Sequence, residues 1–282
     1  MTSPHLSSHR HINHQKTGTL ITGAGRGIGK RFAMGFAQSG WRVGLLGRSQ
    51  AELDLTKLEI EHAGGTALRI RADVRDFEQV SAAVDRMGVV FGGVHTLVAN
   101  AAILGPIGPF AQQKPRDWKE VFETNVIGVM NACRAVLPQM LERRSGKIIV
   151  IVDDGADRPR PWFAPYAASK AAVVRFAESL AEEVRDHNIQ VNSFSPGGTY
   201  TSMTDDILHA DEHAGAKELD EAENIRLTGG IPADKQIQLA LFLASERSNH
   251  LTGKLINVSD DLKKLEQDNA RPDSWTLRRH AK

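Results

Sequence analysis

Short runs of apolar and β-branched residues alternate with longer amphipathic segments along most of the chain. Short apolar runs bounded by turn residues are typical of strands, whereas apolar positions three and four apart predict helices. Seven strands are predicted, at residues 19–22, 42–46, 67–71, 95–99, 147–152, 190–194 and 254–258. Six helices are predicted between them, at residues 27–39, 50–62, 77–90, 117–141, 164–186 and 234–245.

This alternation predicts βαβ units, in which right-handed crossovers connect parallel strands. Residues 148–152 are apolar throughout, as expected of a strand that helices cover on both faces. The predicted fold class is therefore α/β. It is a single-domain, Rossmann-type, doubly wound parallel sheet of about seven strands with helices on both faces.

Three segments lie outside the alternation. Residues 1–16 are polar and include four histidines, so a disordered leader is predicted there. The main dinucleotide-binding domain is predicted at residues 17–258. Within it, residues 201–227 are polar and acidic and are predicted to form a substrate lid. A charged C-terminal tail is predicted at residues 259–282.

Composition and charge narrow the choice of partners. The formal net charge is +1, so no overall field attracts nucleic acid or an anionic membrane, and neither is expected as a partner. No apolar run is long enough to span a bilayer, and the N-terminal residues lack the apolar core of a signal peptide. The single cysteine, Cys133, excludes an intramolecular disulfide. We predict a cytoplasmic protein without a metal site.

A glycine-rich loop follows the first predicted strand and opens the first predicted helix. Residues 22–29 read Thr-Gly-Ala-Gly-Arg-Gly-Ile-Gly. Glycine permits a positive φ and lets the backbone approach a pyrophosphate closely, while the helix N-terminus offers N–H groups to the phosphates. The loop therefore predicts a dinucleotide site. Its predicted cofactor-binding residues are Thr22, Gly23, Arg26, Gly27, Ile28 and Gly29.

Further motifs follow in a fixed order. They are Asp-Val at 73–74, Ala-Asn-Ala-Ala at 99–102, Asn-Val-Ile-Gly at 125–128, Tyr-Ala-Ala-Ser-Lys at 166–170, Pro-Gly-Gly-Thr-Tyr-Thr at 196–201 and Leu-Thr-Gly at 251–253. Together with the glycine loop, this set resembles the short-chain dehydrogenase/reductase family, from about residue 17 to residue 258. The resemblance implies an enzyme that interconverts a hydroxyl and a carbonyl by hydride transfer with a nicotinamide cofactor. It also implies further cofactor-binding residues: Asp73, Val74, Asn100, Ala101, Tyr166, Lys170, Pro196, Gly197, Thr199 and Thr201.

The end of the second predicted strand bears on the choice between NAD and NADP. NAD-dependent enzymes carry an acidic residue there, which binds the ribose 2′-hydroxyl. This chain has Gly47 at that position, followed by Arg48, and Arg26 lies in the glycine loop. Two guanidinium groups suit a 2′-phosphate, so NADP is the predicted cofactor. NAD stays open, because both arginines also fit an ordinary surface.

Tyr166 and Lys170 lie four residues apart and therefore share one face of the predicted helix. A free phenol has a pKa near about 10, which a neighbouring ammonium lowers by favouring the phenolate. The resemblance implies that Tyr166 is the general acid/base and that Lys170 assists it. It also implies that Asn125 holds a water that connects Lys170 with solvent.

The chain departs from the family at the catalytic serine, where alignment places Asp153. A serine hydroxyl donates a hydrogen bond to the developing alkoxide, whereas an ionised carboxylate can only accept one. Asp153 could be protonated and still donate, or the chain could be a weakened enzyme or pseudo-enzyme. We favour a third interpretation, in which Asp153 accepts a hydrogen bond from a hydroxyl, or pairs with a cationic group, on an unusual substrate. The reason is that the other catalytic residues of the family, Tyr166, Lys170 and Asn125, are all present.

The leading hypothesis is an NADP-dependent enzyme that acts on a small alcohol or ketone, polyhydroxylated or cationic if it contacts Asp153. The alternatives are a non-catalytic nucleotide-binding regulator and an epimerase that retains its nicotinamide through a closed redox cycle. The predicted helices at residues 117–141 and 164–186 match the pair that relatives pack into a dimer interface. We therefore expect a homodimer or a homotetramer.

Overall fold

The computed structural model describes residues 18–267 and 274–277. The predicted leader at residues 1–16 therefore lies outside the described residues, as do parts of the predicted tail.

Seven strands form one sheet in the order β3-β2-β1-β4-β5-β6-β7, and all neighbouring strands are parallel. The chain builds outward from β1 to β3 and then returns to place β4 on the other side of β1. Such a reversal of strand order leaves a crevice at the carboxyl ends of β1 and β4. The strands are β1 (Gly18–Thr22), β2 (Arg42–Gly47), β3 (Thr66–Arg71), β4 (Thr96–Ala99), β5 (Gly146–Ile151), β6 (Ile189–Ser195) and β7 (Leu255–Asn257). The predicted fold class is confirmed.

Ten α-helices connect or follow these strands within the described residues. They are α1 (Gly27–Gln38), α2 (Gln50–His62), α3 (Phe77–Phe91), α4 (Pro115–Phe122), α5 (Gly128–Arg143), α6 (Ala164–Glu183), α7 (Ser202–His209), α8 (Ala216–Thr228), α9 (Ala233–Ala244) and α10 (Leu262–Glu266). None of the described helices is long and apolar enough to cross a membrane.

Two hydrophobic cores lie on opposite faces of the sheet. Successive strand residues alternate between them, as the pleat requires: Leu20 belongs to one core and Ile21 to the other. Helices α3, α5 and α6 complete the first core, to which Met87 and Val136 contribute. Helices α1, α2 and α9 complete the second, where the ring centroids of Phe32 and Phe194 lie 6.0 Å apart. The sheet is therefore covered on both faces.

The segment predicted as a helix at residues 117–141 is helical throughout, but its α-helical geometry is interrupted by a π-helical turn. Helix α4 begins two residues earlier than predicted, at Pro115. Proline has no backbone N–H, but this costs no hydrogen bond in the first turn of a helix, where the N–H groups have no partner within the helix. A π-helical turn, Glu123–Ile127, then separates α4 from α5. Such a turn widens the helix locally and is frequent at functional sites. It carries Asn125.

The predicted lid segment contains α7 and α8, joined by a short 3₁₀ turn, Asp211–Ala214. Both helices pack on a small third core that includes Phe163, Tyr166 and Ala222. The segment therefore contacts the residues around the tyrosine, whereas its action as a lid stays a prediction.

Residues after β7 also pack on the domain. Leu265 of α10 is fully buried. The carbonyl of Trp275 accepts a hydrogen bond from the backbone N–H of Leu255 at 2.6 Å, and the N–H of Leu277 donates to Glu178 at 2.9 Å. The described part of the predicted tail is thus attached to β7 and α6.

Candidate active site

A cavity of about 740 Å³ opens at the carboxyl ends of the central strands. Most of the residues predicted for the site line it: Gly23, Arg26, Gly27, Ile28, Gly29, Arg48, Asp73, Val74, Asn100, Ala101, Asp153, Tyr166, Lys170, Pro196, Gly197, Thr199 and Thr201. Two others, Thr22 and Asn125, are buried behind its wall. Loops that are far apart in sequence therefore meet around one space.

The glycine loop turns tightly at one end of this cavity. Gly23 and Gly27 have φ values of +67° and +56°, which side chains rarely tolerate. A Cβ atom on Gly29 would lie 2.2 Å from the carbonyl oxygen of Gly23, so only glycine fits there. Helix α1 has no acidic residue in its first turn and no side-chain cap. Its first N–H groups are therefore available to an anion such as a pyrophosphate.

Thr22 connects this loop to the one after β4. Its hydroxyl oxygen accepts from the backbone N–H groups of Asn100 and Ala101 at 2.9 and 3.0 Å. The Asn100 amide donates back to the Thr22 carbonyl at 2.9 Å. Thr22 therefore positions two loops of the cavity wall rather than forming part of its surface.

Charged residues surround the cavity beyond the end of β2. Arg26 forms an exposed ion pair with Glu52 at 3.5 Å, and Glu52 also lines the cavity, which the sequence analysis did not predict. Hydrogen bonds from Arg75 lower the pKa of Asp73, and the nearby charge of Arg48 adds to this effect. Arg26 and Arg48 could thus hold a ribose phosphate. The phosphate would compete with Glu52 for the guanidinium of Arg26.

Tyr166 and Lys170 lie on the first turns of α6 and are both almost completely buried. The ammonium of Lys170 lies 5.5 Å from the centroid of the tyrosine ring and donates to the carbonyl of Ile151 at 3.1 Å. Burial lowers the pKa of Lys170, and the charge of Asp153 partly offsets this. The two residues therefore share one face of the helix, as their spacing predicts.

The side chain of Asn125 is fully engaged behind the wall. Its oxygen accepts from the N–H of Ile103 at 2.9 Å, and its amide donates to the Ile103 carbonyl at 2.9 Å and to the Ser169 hydroxyl at 3.0 Å. Ile103 lines the cavity. Asn125 therefore positions a wall segment, and its expected contact with a water stays a prediction.

Asp153 follows β5 and reaches the tyrosine. One carboxylate oxygen accepts from the N–H of Gly155 at 3.0 Å, and the other accepts from Nη1 of Arg160 at 3.0 Å. Burial raises the pKa of Tyr166 well above its ordinary value. The negative charge of Asp153 and a hydrogen bond between the tyrosine hydroxyl and the Asp153 carboxylate raise this pKa further. Arg160 opposes this shift. Pairing of Asp153 with a cationic group was expected from a substrate, but in the structure the cationic partner of Asp153 is Arg160 of the same chain.

Arg160 and Glu218 are site residues that the sequence analysis missed. Arg160 bridges Asp153 to Glu218 on α8, and all three residues line the cavity. A cation seven positions after Asp153 was a usable signal. Glu218 lies 58 positions beyond Arg160, and no local pattern connects the two.

The chain is similar to proteins of one family over most of its length. The family model for short chain dehydrogenase matches residues 18–212. A 2,3-dihydro-2,3-dihydroxybenzoate dehydrogenase of Bacillus subtilis is 34% identical over 239 residues, which cover 83% of this chain and 90% of the relative. The 3-oxoacyl-(acyl-carrier-protein) reductase FabG of Staphylococcus aureus is 33% identical over 247 residues, which cover 85% of this chain and 95% of the relative.

A solved structure agrees with these relatives. The crystal structure of a point variant of actinorhodin polyketide ketoreductase with NADPH matches this chain with a TM-score of 0.80 and 29% identity. The match covers 87% of this chain and 96% of the ketoreductase.

Proposed function

Since the chain belongs to the short-chain dehydrogenase/reductase family of NAD(P)-dependent enzymes, we propose that it interconverts a hydroxyl and a carbonyl with NADP as cofactor and Tyr166 as general acid/base. One observation supports this most directly. The glycine loop, the buried Tyr166–Lys170 pair and the loops after β4 and β6 all line a single cavity. A nucleotide and a small substrate could therefore meet beside the phenol.

The residues present fit a dinucleotide. The glycine turn and the uncapped start of α1 would hold the pyrophosphate, and Arg26 and Arg48 would hold a ribose 2′-phosphate. The similar ketoreductase was crystallised with NADPH, which supports NADP. When bound, the nicotinamide supplies or accepts the hydride.

Tyr166 would move the proton. In reduction, its hydroxyl donates a proton to the carbonyl oxygen of the substrate, which becomes the new alcohol. Because burial and Asp153 raise the pKa of Tyr166, the phenol stays protonated at neutral pH, as this direction requires. In oxidation the phenol must lose its proton, and the buried ammonium of Lys170 favours the resulting phenolate.

Replacing the tyrosine hydroxyl tests this role. A panel of small ketones is screened with NADPH by absorbance, and the best substrate is used for variants. Tyr166→Phe should lower kcat by about 100-fold or more, because a general acid contributes that much, and should leave NADPH binding nearly unchanged. Tyr200→Phe removes the hydroxyl of an exposed tyrosine and serves as control. Equal kcat in both variants would remove Tyr166 from the mechanism.

Cofactor choice is tested by titration. The wild type should bind NADPH more tightly than NADH, and Arg48→Asp should abolish or reverse that preference, since it replaces a cation beside the 2′-phosphate with an anion. Arg116→Asp makes the same charge change at an exposed residue that does not line the cavity. A wild type that prefers NADH would contradict the NADP proposal.

We also propose that the protein self-associates as a homodimer or homotetramer through α4, α5 and α6. Phe122 and Ile127, at the ends of the π-helical turn, are 38% and 45% exposed, although both are apolar. Exposed apolar groups on adjacent turns suit a protein interface. Sedimentation showing only monomer at micromolar concentration would contradict this proposal. We retain the cytoplasm as the proposed location.

A further inference from the structure

Arg160 lies between two carboxylates beside the proposed catalytic tyrosine. Its Nη1 donates to Asp153 at 3.0 Å, while Nε and Nη2 donate to the oxygens of Glu218 at 3.1 and 2.8 Å. The Arg160 side chain is only 17% exposed and that of Glu218 only 15%. The guanidinium carbon lies 4.4 Å from the ring centroid of Phe163 and 5.5 Å from that of Tyr166. A guanidinium that is largely buried and bonded to two carboxylates in this way is held in a fixed orientation.

Charge balance at this position matters for the proposed reaction. Asp153 brings a negative charge to the place where negative charge develops on the substrate oxygen, and an unbalanced carboxylate would oppose that development. Arg160 is ion-paired with it, whereas the ammonium of Lys170 donates to the Ile151 carbonyl. Among the described side chains, the other charged groups on this part of the cavity wall are Arg158 on the same loop, Asp206 on α7, and Lys217 and Glu221 on α8.

The same arginine connects the loop to the lid segment. Helix α8 has one buried residue, Ala222, and a partly buried Leu219 packs against the same core. Its N-cap residue is Gly215, which has no side chain to cap the helix. Few apolar groups therefore fix the position of α8. The two-pronged contact between Arg160 and Glu218 adds a directional link between α8 and the loop that carries Asp153.

From this geometry, and resting on the proposed function, we propose that Arg160 is a positioning residue. It compensates the aspartate that replaces the family's serine, and through Glu218 it fixes helix α8 against the catalytic loop. Arg160 acts through its two carboxylate partners and does not itself transfer a proton. The aspartate, the arginine and the lid glutamate therefore work as one unit.

A spectroscopic experiment tests the charge compensation without any substrate. The chain contains two tyrosines, so in a Tyr200→Phe background the ultraviolet absorbance of tyrosinate reports Tyr166 alone. Adding Arg160→Gln removes a cation near the phenol and should move its ionisation to higher pH. Adding Asp153→Ser to that protein removes the opposing anion and should move it back below the value for Arg160→Gln. Arg226→Gln, which breaks an exposed ion pair on α8, should change nothing.

Kinetics test both partners. Arg160→Gln should lower kcat/KM by about tenfold or more, the factor expected for losing a hydrogen bond between charged groups, and Asp153→Ser in the same chain should restore most of this loss. Glu218→Gln leaves Arg160 bound to Asp153 and should raise KM more than it lowers kcat, because only the link to α8 is weakened.

Two results would overturn the proposal. The first is that Arg160→Gln and the double variant Arg160→Gln/Asp153→Ser show the same tyrosine titration and the same kcat/KM. A purely structural arginine would give this result, because removing Asp153 would then rescue nothing. If Arg160→Gln does not fold, Asp153→Asn decides instead, and an unchanged tyrosine titration is the second contrary result. Failure of the proposed function would look different, because a wild type that reduces no carbonyl still yields the titrations.

Discussion

The buried amide of Asn125 provides a quantitative test of how the cavity wall is held. Asn125→Ala removes three hydrogen bonds, two of them to the N–H and carbonyl of Ile103. Ile103 is half-buried and lines the cavity. We therefore expect this variant to lose stability, although Asn125 itself does not reach the cavity surface.

The size of the loss follows from the groups left behind. A buried polar group without a partner costs about 1–3 kcal/mol. Two such groups on Ile103 are affected, and partial access to water moderates the cost. We therefore expect the free energy of unfolding to fall by about 2–4 kcal/mol. Ser169→Ala is a control, because it keeps both bonds to Ile103 and removes only the hydroxyl that accepts from the Asn125 amide and donates to the Tyr166 carbonyl. It leaves one buried donor without a partner, so its expected cost is about 1–2 kcal/mol.

Urea unfolding at one protein concentration measures both values, with the slope against urea serving as a check that the transition is unchanged. Asn125→Ala with the same urea midpoint as the wild type would refute the reasoning. A loss no larger than that of Ser169→Ala would also refute it, because the bonds to Ile103 would then contribute nothing.

Three further predictions concern buried groups. Burial lowers the pKa of Lys147 to about 7, against 10.5 for an exposed lysine. Between these two pH values the unfolded chain therefore binds one more proton than the native protein, so the free energy of unfolding should rise with pH. Urea titrations across this window should show the rise in the wild type and a flatter pH dependence in Lys147→Met. Burial also raises the pKa of Cys133 to about 12, so a thiol reagent should label it only as fast as the protein unfolds; rapid labelling of native protein would contradict this. Gly29→Ala should weaken NADPH binding and stability by forcing the loop apart, whereas Gly88→Ala, in open space on α3, should stabilise by about 0.5–1 kcal/mol in thermal unfolding.

The sequence predicts the framework well because the sheet has a strong periodic signal. Strands such as β5 are apolar throughout and are covered on both faces, so their position and parallel pairing follow from the alternation with helices. The glycine loop is equally readable, because Gly29 has no substitute beside the carbonyl of Gly23. Local sequence and final structure demand the same residues at these positions.

Other features depend on contacts that sequence spacing does not encode. The π-helical turn widens a segment whose apolar periodicity predicts one regular helix. Asn125 in that turn bonds to Ile103 in a separate loop, a contact that the periodicity does not encode. The partner of Arg160 on α8 is likewise fixed only when the lid segment packs on the domain. The sequence therefore identifies Asp153 as unusual but not what balances its charge.

That balance bears on the three interpretations of Asp153. Both of its oxygens accept hydrogen bonds, one from the backbone N–H of Gly155 and one from the guanidinium of Arg160. Because Arg160 supplies the cation, a cationic substrate is not needed to explain the aspartate. The ion pair between Asp153 and Arg160 lies beside Tyr166, so under the proposed function it acts on the group that would deliver the proton in carbonyl reduction.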